Sequence, residues 1–173
     1  MIFMSQSGIT EEGREGDWDR WYLEHLNIMV SVPGIASAQR FKTATKGHPP
    51  SLAMYSMASA NVFQDPYYLS VRGMGEWLSL IDRRYYRRNL FDGAERAPDV
   101  PEDRVLLVAD RDRPEASLAG LAWSWLEVVR PWRTMPVLIP PGWTQVTVTG
   151  WRLTSISSRN ASVKPRTAYF VAL

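Results

Sequence analysis

The most regular pattern of apolar and polar positions in this chain lies between residues 18 and 29. Apolar and aromatic side chains recur there at the spacing of one helix face, at Trp18, Trp21, Tyr22, His25, Leu26 and Met29. Asp17 stands just before this segment, where its carboxylate can cap the first turn. Pro33 and Gly34 follow the segment, and these two residue types end helices. The pattern therefore predicts an amphipathic helix whose aromatic face packs against another element.

Short apolar runs bounded by turn residues predict β-strands around this helix. In the first half of the chain these runs are residues 2–4, 35–43, 52–57 and 85–91. Residues 5–17 are polar and indicate a loop, and the turn at 47–50 joins the second and third strands as a hairpin. Residues 61–81 favour a helix, which Gly73 and Gly75 interrupt. The first half therefore predicts the order β-α-β-β-α-β, which is the ferredoxin-like order.

The second half of the chain repeats this order in part. Residues 92–103 form a polar, proline-containing linker, and residues 104–173 predict a partial unit β-α-β-β. The predicted elements of this unit are strands at 105–109, 145–156 and 167–173 and a helix at 114–129. Short matches around Pro33-Gly34 and Pro141-Gly142 favour two half-units in tandem, although they are too short to exclude chance similarity. We expect an α+β, ferredoxin-like fold with antiparallel sheets and helices on the outer face.

Composition limits the chemistry that is available. The chain has 173 residues, of which 45% are hydrophobic and 22% are charged, and this is the balance of an ordinary globular domain. Cysteine is absent, which excludes disulfides, thiolate metal sites and a cysteine nucleophile. His25 and His48 are the two histidines, too few for a multi-histidine metal centre within one chain. The sequence also lacks a glycine-rich phosphate loop and a G-x-S-x-G elbow, so we expect neither a metal nor a cofactor.

Charge argues against nucleic acid and membranes as partners. The net charge of +2, from 20 basic and 18 acidic residues, is too balanced for a dedicated nucleic-acid binder. The cluster RRYYRR at residues 83–88 would alternate between the two faces of a strand, which divides the basic patch. No apolar run approaches the ~20 residues that cross a bilayer, and the N-terminus lacks the pattern of a secretory signal. The expected location is the cytoplasm.

Four short motifs together carry a family resemblance. They are WYLEH ending at His25, VPGI at residues 32–35, Arg40-Phe41, and Ala53-Met54-Tyr55. Over residues 1–91 this combination resembles the EthD-like branch of the dimeric α+β barrel superfamily. The resemblance implies a ferredoxin-like unit whose sheet meets another sheet to form a barrel. Because the tail beyond residue 92 departs from this pattern, the barrel would be completed either by a homodimer or within one chain.

The resemblance also implies a class of function and a catalytic residue. Members of that superfamily include cofactor-free monooxygenases, polyketide cyclases and lactone isomerases, beside many proteins without an assigned role. The resembled family implies that His25 faces a cavity between helix and sheet, where an imidazole can act as acid and base near neutral pH. The alternative is a core histidine that is hydrogen-bonded to a backbone carbonyl or to Glu24. Glu24 lies about 100° around an ideal helix from His25, so we expect it to face solvent.

Four further residues are candidates for binding a small apolar or aromatic ligand. Trp21 and Tyr22 share the helix face of His25. Arg40 can bind a carboxylate or an enolate if it points inward, and it is a surface cation if it points outward. Tyr55 is either a phenol donor to a ligand carbonyl or a core aromatic residue. Three functions fit these features: a cofactor-free enzyme, a non-catalytic ligand-binding or stress-associated module, and a structural or assembly protein.

Overall fold

Four antiparallel strands form the centre of the fold. The computed structural model of the chain describes residues 1–43, 45–101, 105–109, 123–129, 148–153 and 170–172. The central strands are β1 (Ile2–Ser7), β2 (Ile35–Lys42), β3 (Ser51–Met57) and β4 (Arg87–Asp92), in the spatial order β2-β3-β1-β4. Every neighbouring pair in this order is antiparallel. The predicted α+β class and the predicted hairpin between β2 and β3 are confirmed at this level.

The helix that follows β1 is α1 (Glu15–Met29), and it packs on one face of the central sheet. The predicted loop at residues 5–17 is wrong at both ends, because β1 continues through Ser7 and α1 begins at Glu15. Ser5 and Ser7 stay in the strand since they pair with β3 in the backbone ladder. Asp17 lies inside the first turn and is not the cap, although a carboxylate there still favours the helix dipole.

The segment between β3 and β4 is helical and broken, as its glycines predict. It contains a 3-10 turn at Ala60–Gln64, the short helix α2 (Pro66–Val71) and a second 3-10 turn at Gly75–Leu80. The Asp65 carboxylate caps α2 by accepting from the backbone N–H groups of Tyr67 and Tyr68. Gly73 has a φ of 109°, a conformation that side chains with a Cβ rarely adopt. This segment covers the same face of the sheet as α1.

Five further strands extend the sheet on both sides. They are β5 (Val105–Ala109), β6 (Trp123–Trp125), β7 (Glu127–Val128), β8 (Val148–Leu153) and β9 (Phe170–Ala172). The full order is β6-β9-β5-β8-β2-β3-β1-β4-β7. Strand β9 is parallel to both β5 and β6, so the predicted antiparallel pairing is wrong for these two pairs. The strands predicted in the second half correspond to β5, β8 and β9. Residues 92–101, part of the predicted linker, follow β4 without a further helix or strand.

The helix predicted at 114–129 is wrong for residues 123–128, which form β6 and β7. Residues 114–122 of that prediction, and Pro141-Gly142 of the repeat motif, lie outside the described residues. The helical spacing of the leucines and tryptophans in this segment competes with the alternation Trp123-Ser124-Trp125, which has the period of a strand. Pairing of β6 with β9 and of β7 with β4 decides in favour of strands.

Both faces of the central sheet are buried, and two apolar layers result. The layer against the helices contains Phe3 and Tyr55 of the sheet together with side chains of α1. The opposite layer packs Ile2, Met4, Leu52, Met54 and Phe91 against Leu106, Val108 and Leu126 of the second half. The strands β6 and β7 stand at the two ends of the nine-strand order, yet Leu126 alone separates them in the chain. The two ends of the sheet therefore lie one residue apart along the backbone.

In the part of the chain that the structure describes, no helix is both long enough and apolar enough to cross a lipid bilayer.

Candidate functional site

A narrow pocket lies between α1, α2 and the face of the sheet that these helices cover. Its polar lining comes largely from one histidine and four tyrosines: His25, Tyr22, Tyr55, Tyr68 and Tyr86. Two arginines, Arg72 and Arg88, complete the lining together with Ser5 and apolar residues. The enclosed space is about 20 Å³, which is room for about one water molecule. A larger ligand must therefore move side chains to enter.

His25 lies on the sheet-facing side of α1 and lines this pocket. Its imidazole stacks on the Trp21 ring, with centroids 4.9 Å apart and planes at 9°, and it meets the Tyr22 ring edge-on at 6.2 Å. Burial lowers the pKa of His25 below its ordinary value of 6.5, because the imidazolium form loses hydration. The imidazole is therefore neutral at neutral pH, where one ring nitrogen can accept a proton. Glu24 is exposed, as predicted.

Trp21 supports His25 from outside the pocket. Its ring is stacked between His25 and Trp18, and the Trp18 centroid lies 5.2 Å away with planes at 11°. Trp21 is half-buried and does not belong to the pocket lining. The structure thus places this predicted ligand-binding residue beside the histidine, where it holds the imidazole ring in one orientation.

Tyr22 and Tyr55 bring two buried phenols to the pocket. Burial raises the pKa of Tyr55 well above 10, and the neighbouring Tyr22 raises it further. Burial also raises the pKa of Tyr22, against the opposing effects of Arg40 and of the Ser7 and Ser5 side chains. Both phenols are therefore protonated at neutral pH and can donate a hydrogen bond. The Oγ atoms of Ser5 and Ser7 are buried and have no hydrogen-bond partner among the described residues.

Arg40 points inward, under α1, with 3% of its side chain exposed. Its guanidinium donates to Asp19 Oδ1 and to Ser51 Oγ, each at 2.8 Å, and lies 4.3 Å from the centroid of the Tyr22 ring. The Asp19 carboxylate also accepts from Lys42 Nζ at 2.6 Å. Arg40 is not part of the pocket lining. Of the two orientations that the sequence left open for Arg40, the structure has the inward one. Its guanidinium is paired with the Asp19 carboxylate of the same chain.

Two tyrosines and two arginines are among the pocket residues that the sequence analysis missed. Tyr68 and Arg72 stand four positions apart at α2, and Tyr86 and Arg88 stand two positions apart at the start of β4. Strand alternation within the RRYYRR cluster could have placed Tyr86 and Arg88 on one face. Burial raises the pKa of Tyr68, while Arg88 and Arg72 lower it, so both guanidinium groups act on this phenol.

No metal site is found in the described ranges. Within them no group of three or more histidine, aspartate or glutamate side chains comes close enough together to hold a metal ion. A second cavity of about 240 Å³ opens beside Gly34, Ser56 and Glu95, away from the tyrosines. Comparison of the chain with protein-family models, with curated proteins and with solved structures finds no match.

Proposed function

We propose that this chain is an α+β barrel protein related to the EthD-like branch, which binds a small aromatic, polyketide-like or lactone compound beneath α1. The order of elements in the first 92 residues supports a ferredoxin-like unit, with two helical segments on one face of an antiparallel sheet. His25 and Tyr55 line the pocket beneath α1, and Arg40 lies under the same helix. For His25 this supports the position between helix and sheet that the resemblance implies.

The second half of the chain supports a barrel that one chain completes. Its strands pair with β2 on one side and β4 on the other, and Leu126 joins the two ends of the strand order. The apolar layer that contains Leu106 and Val108 would then be the barrel interior. In this arrangement a second copy is not needed to cover the central sheet, so the pocket beneath α1 belongs to a single chain.

We further propose that the pocket carries out proton transfer without a cofactor. The observation that supports this most is the meeting of a neutral imidazole with two protonated phenols in one pocket. His25 would remove a proton from a carbon next to a ligand carbonyl, and Tyr55 or Tyr22 would donate a hydrogen bond to the enolate oxygen. Return of the same proton from His25 to another atom of the ligand gives an isomer or a cyclised product. This sequence needs no oxidant and no other co-reactant.

One observation favours a second function, which is ligand binding or assembly without catalysis. The enclosed space of about 20 Å³ is far smaller than the ~300 Å³ typical of a drug-sized ligand pocket. Trp21 and Tyr22 pack against His25, as they would in a filled core. A stress-associated or structural module would have such a packed interior.

Replacement of His25 distinguishes these functions. Wild type, His25→Gln and His48→Gln are screened by thermal shift against aromatic acids, quinones and lactones. A ligand at about 100 times its Kd stabilises the folded chain by about 2.7 kcal/mol. For each ligand found, the exchange of its C–H protons with deuterated solvent is followed by NMR. We expect His25→Gln to slow this exchange by about 100-fold or more, because general acid–base catalysis contributes that much.

The histidine outside the pocket provides the control, since His48→Gln should exchange at the wild-type rate. Undiminished exchange in folded His25→Gln would refute the catalytic role. Binding without exchange in wild type would favour the non-catalytic module, and the absence of any stabilising ligand would favour assembly.

A further inference from the structure

Two arginines at the pocket, Arg72 and Arg88, form no ion pair with an acidic side chain of the described residues. Arg72 directly follows α2, where its backbone N–H donates to the Tyr68 carbonyl at 2.9 Å. Arg88 lies on β4 opposite Ser5 of β1, and its guanidinium carbon is 5.1 Å from the centroid of the Tyr86 ring. Both side chains are exposed to solvent at one end and line the pocket at the other. Two positive charges therefore flank a space that is walled by aromatic rings.

Unlike four other arginines near α1 and β4, these two take part in no ion pair of the described residues, and unlike Arg87, which also has none in that set, they line the pocket. Among the described residues, the ion pairs of Arg14, Arg20, Arg40 and Arg84 each use an aspartate or glutamate of the chain. Arg72 and Arg88 take part in no ion pair of that described set, and the pocket lining contains no aspartate or glutamate. The imidazole of His25 adds no charge at neutral pH. The described lining therefore gives the pocket a positive electrostatic potential. The same two arginines lower the pKa of the Tyr68 phenol, against the effect of burial.

We propose that the ligand of this pocket is a small aromatic acid whose carboxylate binds Arg72 and Arg88. The proposal rests on the function proposed above and specifies the class of its ligand. A guanidinium offers a planar fork of N–H donors that matches a carboxylate, and the flat walls formed by Tyr68 and Tyr86 suit a planar ring. A carboxylate attached directly to a ring is planar as well, so such a ligand needs less displacement of the lining side chains than a bulkier one when it enters.

This charge also bears on the proposed proton transfer. Proton removal by His25 requires that the aromatic acid also carries a carbonyl with a neighbouring C–H, such as an alkyl ketone on the ring, and it would add a second negative charge to a ligand that is already anionic. Two guanidinium groups beside the ligand offset the repulsion, because positive groups placed in advance stabilise charge that develops during the reaction. A neutral analogue of the ligand would lack the arginine contacts and bind more weakly.

Matched acids and amides test the proposal on the full chain. The probes are benzoate with benzamide, salicylate with salicylamide, and 1-naphthoate with 1-naphthamide, each titrated by NMR at low ionic strength. We expect each acid that binds to bind about tenfold tighter than its amide, since a hydrogen bond to a charged group has about that effect. Arg72→Gln and Arg88→Gln should each weaken acid binding by about tenfold and leave amide binding nearly unchanged.

Arg87→Gln is the matched control, because Arg87 is the exposed neighbour of Arg88 on β4 and does not line the pocket. It should bind acids as tightly as the wild type does.

Circular dichroism of every variant verifies the fold. If acid and amide bind equally, the aromatic-acid inference is refuted, while the proposed ligand pocket is not. The same conclusion follows if both Arg72→Gln and Arg88→Gln keep the preference for the acid. Tighter binding of phenyl phosphate than of benzoate would overturn the choice of a carboxylate. Failure of all six probes and of all lactones and quinones would refute the proposed function itself.

Discussion

The charge state of single residues in this site depends on the side chains that surround them. His25 faces aromatic rings and has no acidic partner in the described lining, so burial lowers the pKa of its imidazole. Arg40 is more deeply buried than His25, yet its charge is balanced by the Asp19 carboxylate and solvated by the Ser51 hydroxyl. Arg40 therefore contacts the Tyr22 ring as a member of an ion-paired network, whereas His25 has no ion-pair partner among the described residues.

The lowered pKa of His25 predicts how stability depends on pH. Below the ordinary histidine pKa of 6.5, the unfolded chain binds a proton at this position more readily than the folded chain. The free energy of unfolding should therefore fall as the pH decreases from about 7.5 to about 5, and this part of the fall should vanish in His25→Gln. Urea unfolding at several pH values measures it. Identical slopes in wild type and His25→Gln would contradict the prediction.

Among the elements, the turn from α1 into β2 has the strictest geometry. Gly34 has a φ of 87°, and a Cβ there would lie 2.7 Å from Cγ2 of Val62. The carbonyl of Gly34 also accepts from the Ala58 backbone N–H at 2.8 Å, which ties the turn to the end of β3. This turn sets the path from the helix into the sheet, and so the position of the His25 face above the strands.

Substitution at Gly34 should cost more than the same substitution at a glycine of similar conformation. Gly13 has a φ of 85° with no atom within 4 Å of the added Cβ, so Gly13→Ala isolates the backbone strain. We expect Gly13→Ala to destabilise by about 1 kcal/mol. Gly34→Ala should destabilise by about 2–3 kcal/mol, since the contact with Val62 adds overpacking to that strain. Urea unfolding of both variants measures the difference, and equal losses would show that the Val62 side chain moves away freely.

At the level of the whole molecule, the second half of the chain completes the burial of the first. All residues of β3 are buried, and one of its two faces is covered by β5 and by Leu126. The nine strands belong to one sheet, and the apolar layer on that side draws on both halves. The two halves should therefore unfold together.

The strand β5 offers a direct test of this shared core. Leu106 is fully buried in the layer between the halves, and its neighbour Leu107 points to the other face and is half-buried. Leu106→Ala should destabilise the whole chain by about 3 kcal/mol in a single transition, because it leaves a cavity in a core common to both halves. Leu107→Ala should cost less than about 1 kcal/mol. Unfolding followed by tryptophan fluorescence and by circular dichroism checks both values, and two separated transitions would refute the common core.

Local signals in the sequence were enough to predict several elements. The apolar period of α1, the proline and glycine after it, and the apolar runs on either side of the turn at 47–50 predicted a helix, a turn and a hairpin, and also the helix face on which His25 lies. Such patterns depend on residues only a few positions apart. The same signals failed at residues 123–128, because pairing with distant strands overrides local helical spacing.

Which side chains meet in the pocket depends on long-range packing, which the sequence patterns do not contain. Arg72 and Arg88 are separated from His25 by more than forty residues, and Arg40 lies 21 positions from the Asp19 carboxylate that it pairs with. Their proximity depends on the register of β1 with β4 and on the docking of α1 and α2 on one face of the sheet. Because local periodicity does not encode strand register or helix docking, the charge of the pocket was decided by the packing.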